Sequence, residues 1–155
     1  MPDPLKYAHV ERERRFLVRA VPAGVQESVR IVDRYVEGTR LRLREVRHPD
    51  GTVVRKLGHK VRLTEEPAEV ACTSLYLDDA EWELLSRLPA RVLSKTRHRV
   101  SRDGLTVAVD EIDDGTLLAE IDLGDGPAPG DLPAWLEVIA EVSEDEAWTG
   151  AALAR

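Results

Sequence analysis

The sequence predicts a mainly β domain, α+β in class because one helix interrupts the strands, and built as an antiparallel barrel or sandwich. Three observations predict it. Period-2 alternation of side chains recurs from Val10 to Leu123. The alternating stretches are separated by hairpin-type turns such as Glu37-Gly38-Thr39, Pro49-Asp50-Gly51, Arg102-Asp103-Gly104 and Asp113-Asp114-Gly115. Helical spacing is confined to the stretch around Trp82, Leu84, Leu85 and Leu88 and to the last residues. At 155 residues the chain supports one domain, 1–155, with a core of its own, and no repeat or linker divides it.

Composition narrows the function classes. A chain 43% hydrophobic and 33% charged reads as a soluble globular protein. Its net charge of −7 argues against a general nucleic-acid surface, so any anion site has to be local. The one cysteine, Cys72, cannot form an internal disulfide, which fits a reducing compartment. Met1 to Tyr7 has no basic region followed by an apolar run, and no stretch approaches membrane-spanning length. A cytoplasmic protein with no membrane and no nucleic-acid partner is expected; a homodimer is left open.

Taken in order, the first strand is Val10 to Val18, where alternation puts Glu11, Glu13 and Arg15 on one face. Val21-Pro22-Ala23-Gly24 breaks it, and Val29 to Val36 is β-branched and aromatic enough for a second strand. Arg40-Leu41-Arg42-Leu43-Arg44 alternates strictly: a helix would scatter the three arginines, whereas a strand sets them in a row. The strand from Thr52 to about Leu63 puts Lys56, Gly58, Lys60 and Arg62 on one face; Glu65-Glu66-Pro67 should end it. Glu69 to Leu77 reads as extended. Asp78 or Asp79 then caps a helix whose apolar face includes Trp82, expected in the core, and which Pro89 stops. Arg91 to Ser101 carries Lys95, Arg97 and Arg99 on one face, and Leu105 to Ile112 carries Asp110. Leu117 to Leu123 places Glu120 and Asp122 together. A Gly- and Pro-rich loop from Gly124 to Pro133 is expected to be mobile. Trp135 to Ile139 and Glu141 to Ser143 then pack back, with Glu137 and Glu141 able to edge a cavity mouth, and Asp145 to Leu153 forms a short helix.

The rows of charge select the barrel and its chemistry. Like charges side by side on one face destabilise a sheet unless something anionic lies between them or water screens them. A solvated face would be the bland explanation for any one row. Three basic rows in an acidic chain, opposed by Glu11, Glu13, Asp110, Glu120 and Asp122, suit an eight-stranded antiparallel barrel that encloses a polyanion, with carboxylates holding a divalent cation at one side. Buried charges in such number are tolerable when paired or filled by ligand.

At this point the chain resembles the CYTH superfamily, the triphosphate tunnel metalloenzymes named for class IV adenylate cyclase and thiamine triphosphatase. Glu11-Arg12-Glu13-Arg14-Arg15 matches the family's opening Glu-x-Glu-x-Lys, with Arg15 where lysine is usual. The resemblance continues through Tyr35, the Arg40 to Arg44 row, Lys56 and Lys60, Lys95 to Arg99, Val109 to Ile112, Leu118 to Asp122, Glu141-Val142-Ser143, Trp148 and Leu153.

The resemblance implies an eight-stranded tunnel with an inserted helix and short C-terminal helices, Mg²⁺ or Mn²⁺, and a small triphosphate or polyphosphate as partner. It implies Glu11, Glu13, Glu120 and Asp122 as metal ligands, with Asp110 as a further candidate. Arg42, Arg44, Lys56, Lys60, Lys95 and Arg97 would clasp phosphates, joined by Arg15 and, nearer the strand ends, Arg40 and Arg99. Water would attack a terminal phosphoryl group, with Lys56 or Lys60 as the general base if neighbouring cations depress its pKa; Arg15 can hold phosphate but cannot act as that base. Two departures stand out. Glu69 to Thr73 lacks the Arg-x-Glu-x-Glu common in the family, and Leu57-Gly58-His59-Lys60 replaces the usual Leu-Thr-Ile-Lys. A metal-dependent triphosphatase is therefore the leading expectation, ahead of a non-catalytic polyphosphate- or nucleotide-binding module and, lower, an adenylate cyclase.

Overall fold

The computed structural model describes residues 1–64, 69–126 and 130–155. Nine strands form one sheet: β1 (His9–Val18), β2 (Glu27–Val36), β3 (Leu41–Arg47), β4 (Val53–Arg62), β5 (Glu69–Tyr76), β6 (Ala90–Arg102), β7 (Leu105–Ile112), β8 (Leu117–Asp122) and β9 (Val138–Glu141). The order is β5-β4-β3-β2-β6-β7-β8-β1, and pairing of β5 with β1 closes the eight strands into an antiparallel barrel. The expected barrel is therefore present, while β9 adds a ninth strand, pairing with Phe16 to Val18 of β1 beyond the His9 to Arg12 stretch that pairs with β5. The pairs β2–β3, β3–β4, β6–β7 and β7–β8 join strands that follow one another in the chain, whereas closure joins distant ones. At the β6–β7 turn both Asp103 and Gly104 have positive φ, the backbone that a two-residue turn needs to match strand twist.

Alternation sorts each strand into two environments. Phe16, Val18, Val107, Val109, Ala119 and Ile121 point outward from β1, β7 and β8, where Leu132, Trp135 and Leu136 cover them. This wall, outside the barrel, is the main apolar core, and it leaves the inner face to charge. A second cluster, Leu93, Ile112, Leu118, Val142 and Ala154, with Leu17, Tyr35, Trp148 and Leu153 packed against it, lies beneath the C-terminal segment.

Several elements differ from expectation. Helix α1 (Asp79–Leu85) has the expected cap, Asp78 accepting from the Glu81 amide while Glu81 reaches back to the Asp78 amide. Yet its seven residues bury nothing fully: Leu84 is exposed, and Trp82 is half-buried beneath the Arg55 guanidinium rather than in the core. Fewer than two turns on the outer wall cannot bury a whole face. The expected terminal helix is split into a 3₁₀ turn (Glu146–Trp148) and α2 (Gly150–Leu153), because Thr149 is extended and caps α2 itself. The strand stop at Glu65-Glu66-Pro67 and part of the Gly124 to Pro133 loop fall outside the described residues.

Candidate functional site

Inside the barrel the strands place charge in register. On β1 the alternating Glu11, Glu13 and Arg15 face inward, and pairing sets Arg15 opposite Glu120 and Glu13 opposite Asp122. On β3, Arg42 and Arg44 stand opposite Tyr35 and Asp33 of β2, and on β6 Arg97 stands opposite Asp110 of β7. These side chains open onto one cavity of about 590 Å³, of a size that holds a small ligand. Among the described residues, nine Arg and Lys side chains line it against four glutamates, an excess of positive charge within a chain of net −7.

The deep end is a chain of ion pairs. Lys95, 6% exposed, donates to Asp110 at 2.6 Å, and Arg97 donates to both Asp110 oxygens and to Glu120 at 2.8 Å. Arg15 reaches Glu120 at 3.2 Å and also donates to the Trp148 carbonyl, tying the C-terminal segment to the cavity. Arg44 grips Asp33 through two bonds of 2.6 and 2.7 Å, and Lys60 pairs with Glu11 at 3.0 Å.

Charge states follow from these surroundings. Burial alone would push the Glu120 carboxyl up, but the combined field of Arg97, Lys95, Arg15 and Lys60 outweighs it and holds the group below its usual range. Asp33 is held low in the same way, Arg44 and Arg42 overcoming its complete burial. Burial depresses Lys95, reinforced by Arg97 and Arg44 against the pull of Asp110. Glu13 goes the other way: burial and the neighbouring Glu120 and Glu11 carboxylates raise it to about 7 despite Lys60 and Arg15. A nearby cation would favour the charged form of a carboxyl raised in this way by burial and by neighbouring carboxylates.

Of the residues expected from the sequence, Glu11, Glu13, Arg15, Arg40, Arg42, Arg44, Lys60, Lys95, Arg97 and Glu120 line the one cavity. Four do not. Lys56 shares the inner face with Arg44, but its Nζ lies over the Tyr76 ring, away from the cavity. Arg99 is exposed and pairs with Glu27 at 3.3 Å. Asp122 is exposed and accepts from the Gly124 amide. Asp110 is buried behind the cavity, with both oxygens taken by Lys95 and Arg97. Nor does Glu141 edge the mouth; it pairs with Arg14 at 2.9 Å. Among the described residues no three His, Cys, Asp or Glu side chains converge into a ready metal cage.

Sequence reasoning missed Asp33, which is fully buried and holds Arg44 in place. The signal was present: Val29, Ile31, Asp33 and Tyr35 share a face of β2, and among these four Asp33 is the one charge. It also missed Gly58, which stands opposite Arg42. A β-carbon there would lie 3.4 Å from Arg42 Nη2, so the guanidinium lies close against the backbone of β4 at this point.

No protein-family model matches the chain, and no curated protein sequence matches it. Solved structures do. A structure of the inorganic triphosphatase NE1496 superposes with a TM-score of 0.58 at 25% identity, over 93% of this chain and 97% of that one. A second NE1496 structure, 22% identical over 93% and 96% of the two chains, gives 0.60. The PH1012 protein from Pyrococcus horikoshii OT3, 17% identical over 72% and 77%, gives 0.56.

Proposed function

We propose that the chain hydrolyses a phosphoanhydride bond of a triphosphate held in the barrel, with Mg²⁺ or Mn²⁺. The observation that carries this is a cavity of about 590 Å³ in which inward-facing arginines and lysines outnumber carboxylates while one carboxyl, Glu13, is pushed up to about 7. The likeness in fold to an inorganic triphosphatase at 25% identity supports the same reading.

The donor set fits a hard cation. Mg²⁺ is usually held by one or two carboxylates together with water and substrate phosphate oxygens, so a full protein cage is not required. Glu13 and Glu120 would hold it, with Glu11 beside them; Asp110, already bound twice, acts as the anchor of Lys95 and Arg97. When bound, such an ion polarises a phosphoryl oxygen and offsets charge on the transferring group.

The chain's own residues do the rest. Arg15, Arg44 and Arg97 present planar forks suited to phosphate oxygens, while Lys60 and Lys95 act as point charges. Asp33 and Asp110 keep Arg44, Arg97 and Lys95 aimed before substrate arrives, so little reorganisation remains for the transition state. Lys95, depressed by burial, is a better candidate to take a proton from water than Lys56, which lies outside the cavity.

The test is phosphate release from tripolyphosphate, thiamine triphosphate and ATP with Mg²⁺, Mn²⁺ or EDTA, run beside Glu13→Ala. Metal-dependent release lost in the variant is expected. Binding without release would leave a recognition module, which the extra tie from Arg15 to Glu120 favours as the second reading.

A further inference from the structure

The inner face of the barrel changes character one step from the deep end. The row Leu93, Asp33, Arg44, Lys56 runs across β6, β2, β3 and β4 in register, and its arginine is neutralised by Asp33. The next row outward, about 7 Å away by strand rise, is Arg91, Tyr35, Arg42, Gly58. It contains two arginines and no carboxylate. Arg42 Nε is buried without a hydrogen-bond partner and lies 3.8 Å from Asp33, beyond hydrogen-bonding reach. Arg91 and Arg40, which also line the cavity, make no side-chain hydrogen bond or ion pair among the described residues. Glu37 lies on the same rim and pairs with neither among the described residues.

The contrast is chemical. Arg44, Lys60, Lys95 and Arg97 each pair with a carboxylate; Arg91 and Arg42 stand in one row with only Tyr35 between them, and Arg40 lies two residues before Arg42 in the chain. A buried guanidinium nitrogen without an acceptor is costly unless an acceptor arrives with a ligand. The Arg42 guanidinium lies against Gly58, its Nη2 3.4 Å from where a β-carbon would stand.

We propose that Arg91, Tyr35, Arg42 and Arg40 form an outer anion subsite for the phosphate beyond the third, so that the tunnel's preferred ligands are linear polyphosphates of four or more phosphates. This deepens the proposed function and rests on its reading that the deep cavity takes a polyphosphate chain. Each added phosphate brings negative charge to a rim where Arg91 and Arg40 have no hydrogen bond or ion pair among the described residues and Arg42 has only the 3.8 Å approach to Asp33. A planar fork on either side of Tyr35 can bond two oxygens without displacing an internal partner.

The experiment is calorimetric binding of tripolyphosphate, tetrapolyphosphate and ATP, with Mg²⁺ and with EDTA, to the full chain and to Arg91→Gln. Arg91 is exposed, and matching melting curves check that the variant folds. Tetrapolyphosphate should bind the parent about tenfold tighter than tripolyphosphate, the size of one charge-assisted contact, and Arg91→Gln should bring that ratio close to one. Arg40→Gln should reduce the ratio in the same direction. A ratio near one in the parent, or a ratio untouched by both variants, overturns the subsite while leaving the triphosphate reading intact. ATP binding tighter than tetrapolyphosphate, indifferent to Arg91→Gln, also overturns it and gives the rim to an organic group. If tripolyphosphate itself fails to bind in either condition, the subsite and the proposed function fall together, a result distinct from the other two.

Discussion

Replacing Asp33 by alanine removes the carboxylate that holds Arg44 through bonds of 2.6 and 2.7 Å and sits 3.8 Å from Arg42. Asp33 is 0% exposed and the Arg44 side chain 14%, so the variant leaves a nearly buried guanidinium with no counter-charge. Removing one partner of a buried pair costs about 3–5 kcal/mol. Arg44 faces the cavity and can recruit water, which places the expected loss at the low end, about 3 kcal/mol. For a domain of this size that is a fall in melting temperature of about 6–12 °C. Thermal denaturation followed by circular dichroism measures it. Tripolyphosphate should recover a larger fraction of stability in the variant than in the parent, because the freed guanidinium gains an anion. The pH dependence has a definite sign. Asp33 is held below its ordinary 3.8, so its contribution is fully present above about pH 4 and is lost as pH falls through its folded value. Asp33→Asn should therefore show a shallower acid loss than the parent. A variant that melts within about 2 °C of the parent at pH 7 would refute the account of Arg44 as an aspartate-aimed cation.

Glu13 carries the opposite sign. Its folded value near 7 exceeds the ordinary 4.5, so the metal-free protein holds a proton that the unfolded chain has lost, and stability should fall as pH rises from about 4.5 to 7. The shift corresponds to about 3 kcal/mol before screening; with the side chain 31% exposed, about 1–2 kcal/mol is expected. Glu13→Gln should flatten that slope in denaturant titrations at pH 5 and 8, and an equal slope in both proteins counts against a crowded carboxylate site. At the C-terminal segment, a β-carbon on Gly150 would lie 2.0 Å from Tyr35 Oη, so Gly150→Ala must displace either α2 or the tyrosine. A loss of about 1–3 kcal/mol by thermal melt is expected, and a neutral variant would show that the segment is not seated on Tyr35.

Much of the site was legible because β alternation converts sequence spacing directly into facing. Glu11, Glu13 and Arg15, Arg42 and Arg44, and Lys95 and Arg97 share faces in the fold as they do by parity of residue number. What parity does not give is height along the barrel. Lys56 and Lys60 share a face of β4, yet one reaches Glu11 in the cavity and the other rests on Tyr76. Asp122 and Glu120 share a face of β8, yet one is exposed at a strand end and the other bonds Arg97. Register between strands sets that height, and it depends on turn lengths and on which strands become neighbours.

By itself the sequence determined the mainly β class, the hairpin order, the capped helix and the faces on which charge lies, because each follows from local backbone preference and side-chain period. Tertiary structure alone decided that β5 meets β1 to close the barrel, that the largest apolar cluster sits on its outer wall, and that Asp33 aims Arg44 while Arg91 has no hydrogen bond or ion pair among the described residues. Those outcomes rest on contacts between strands distant in the chain, where burial and pairing with particular partners, rather than residue type, fix what a charge can do.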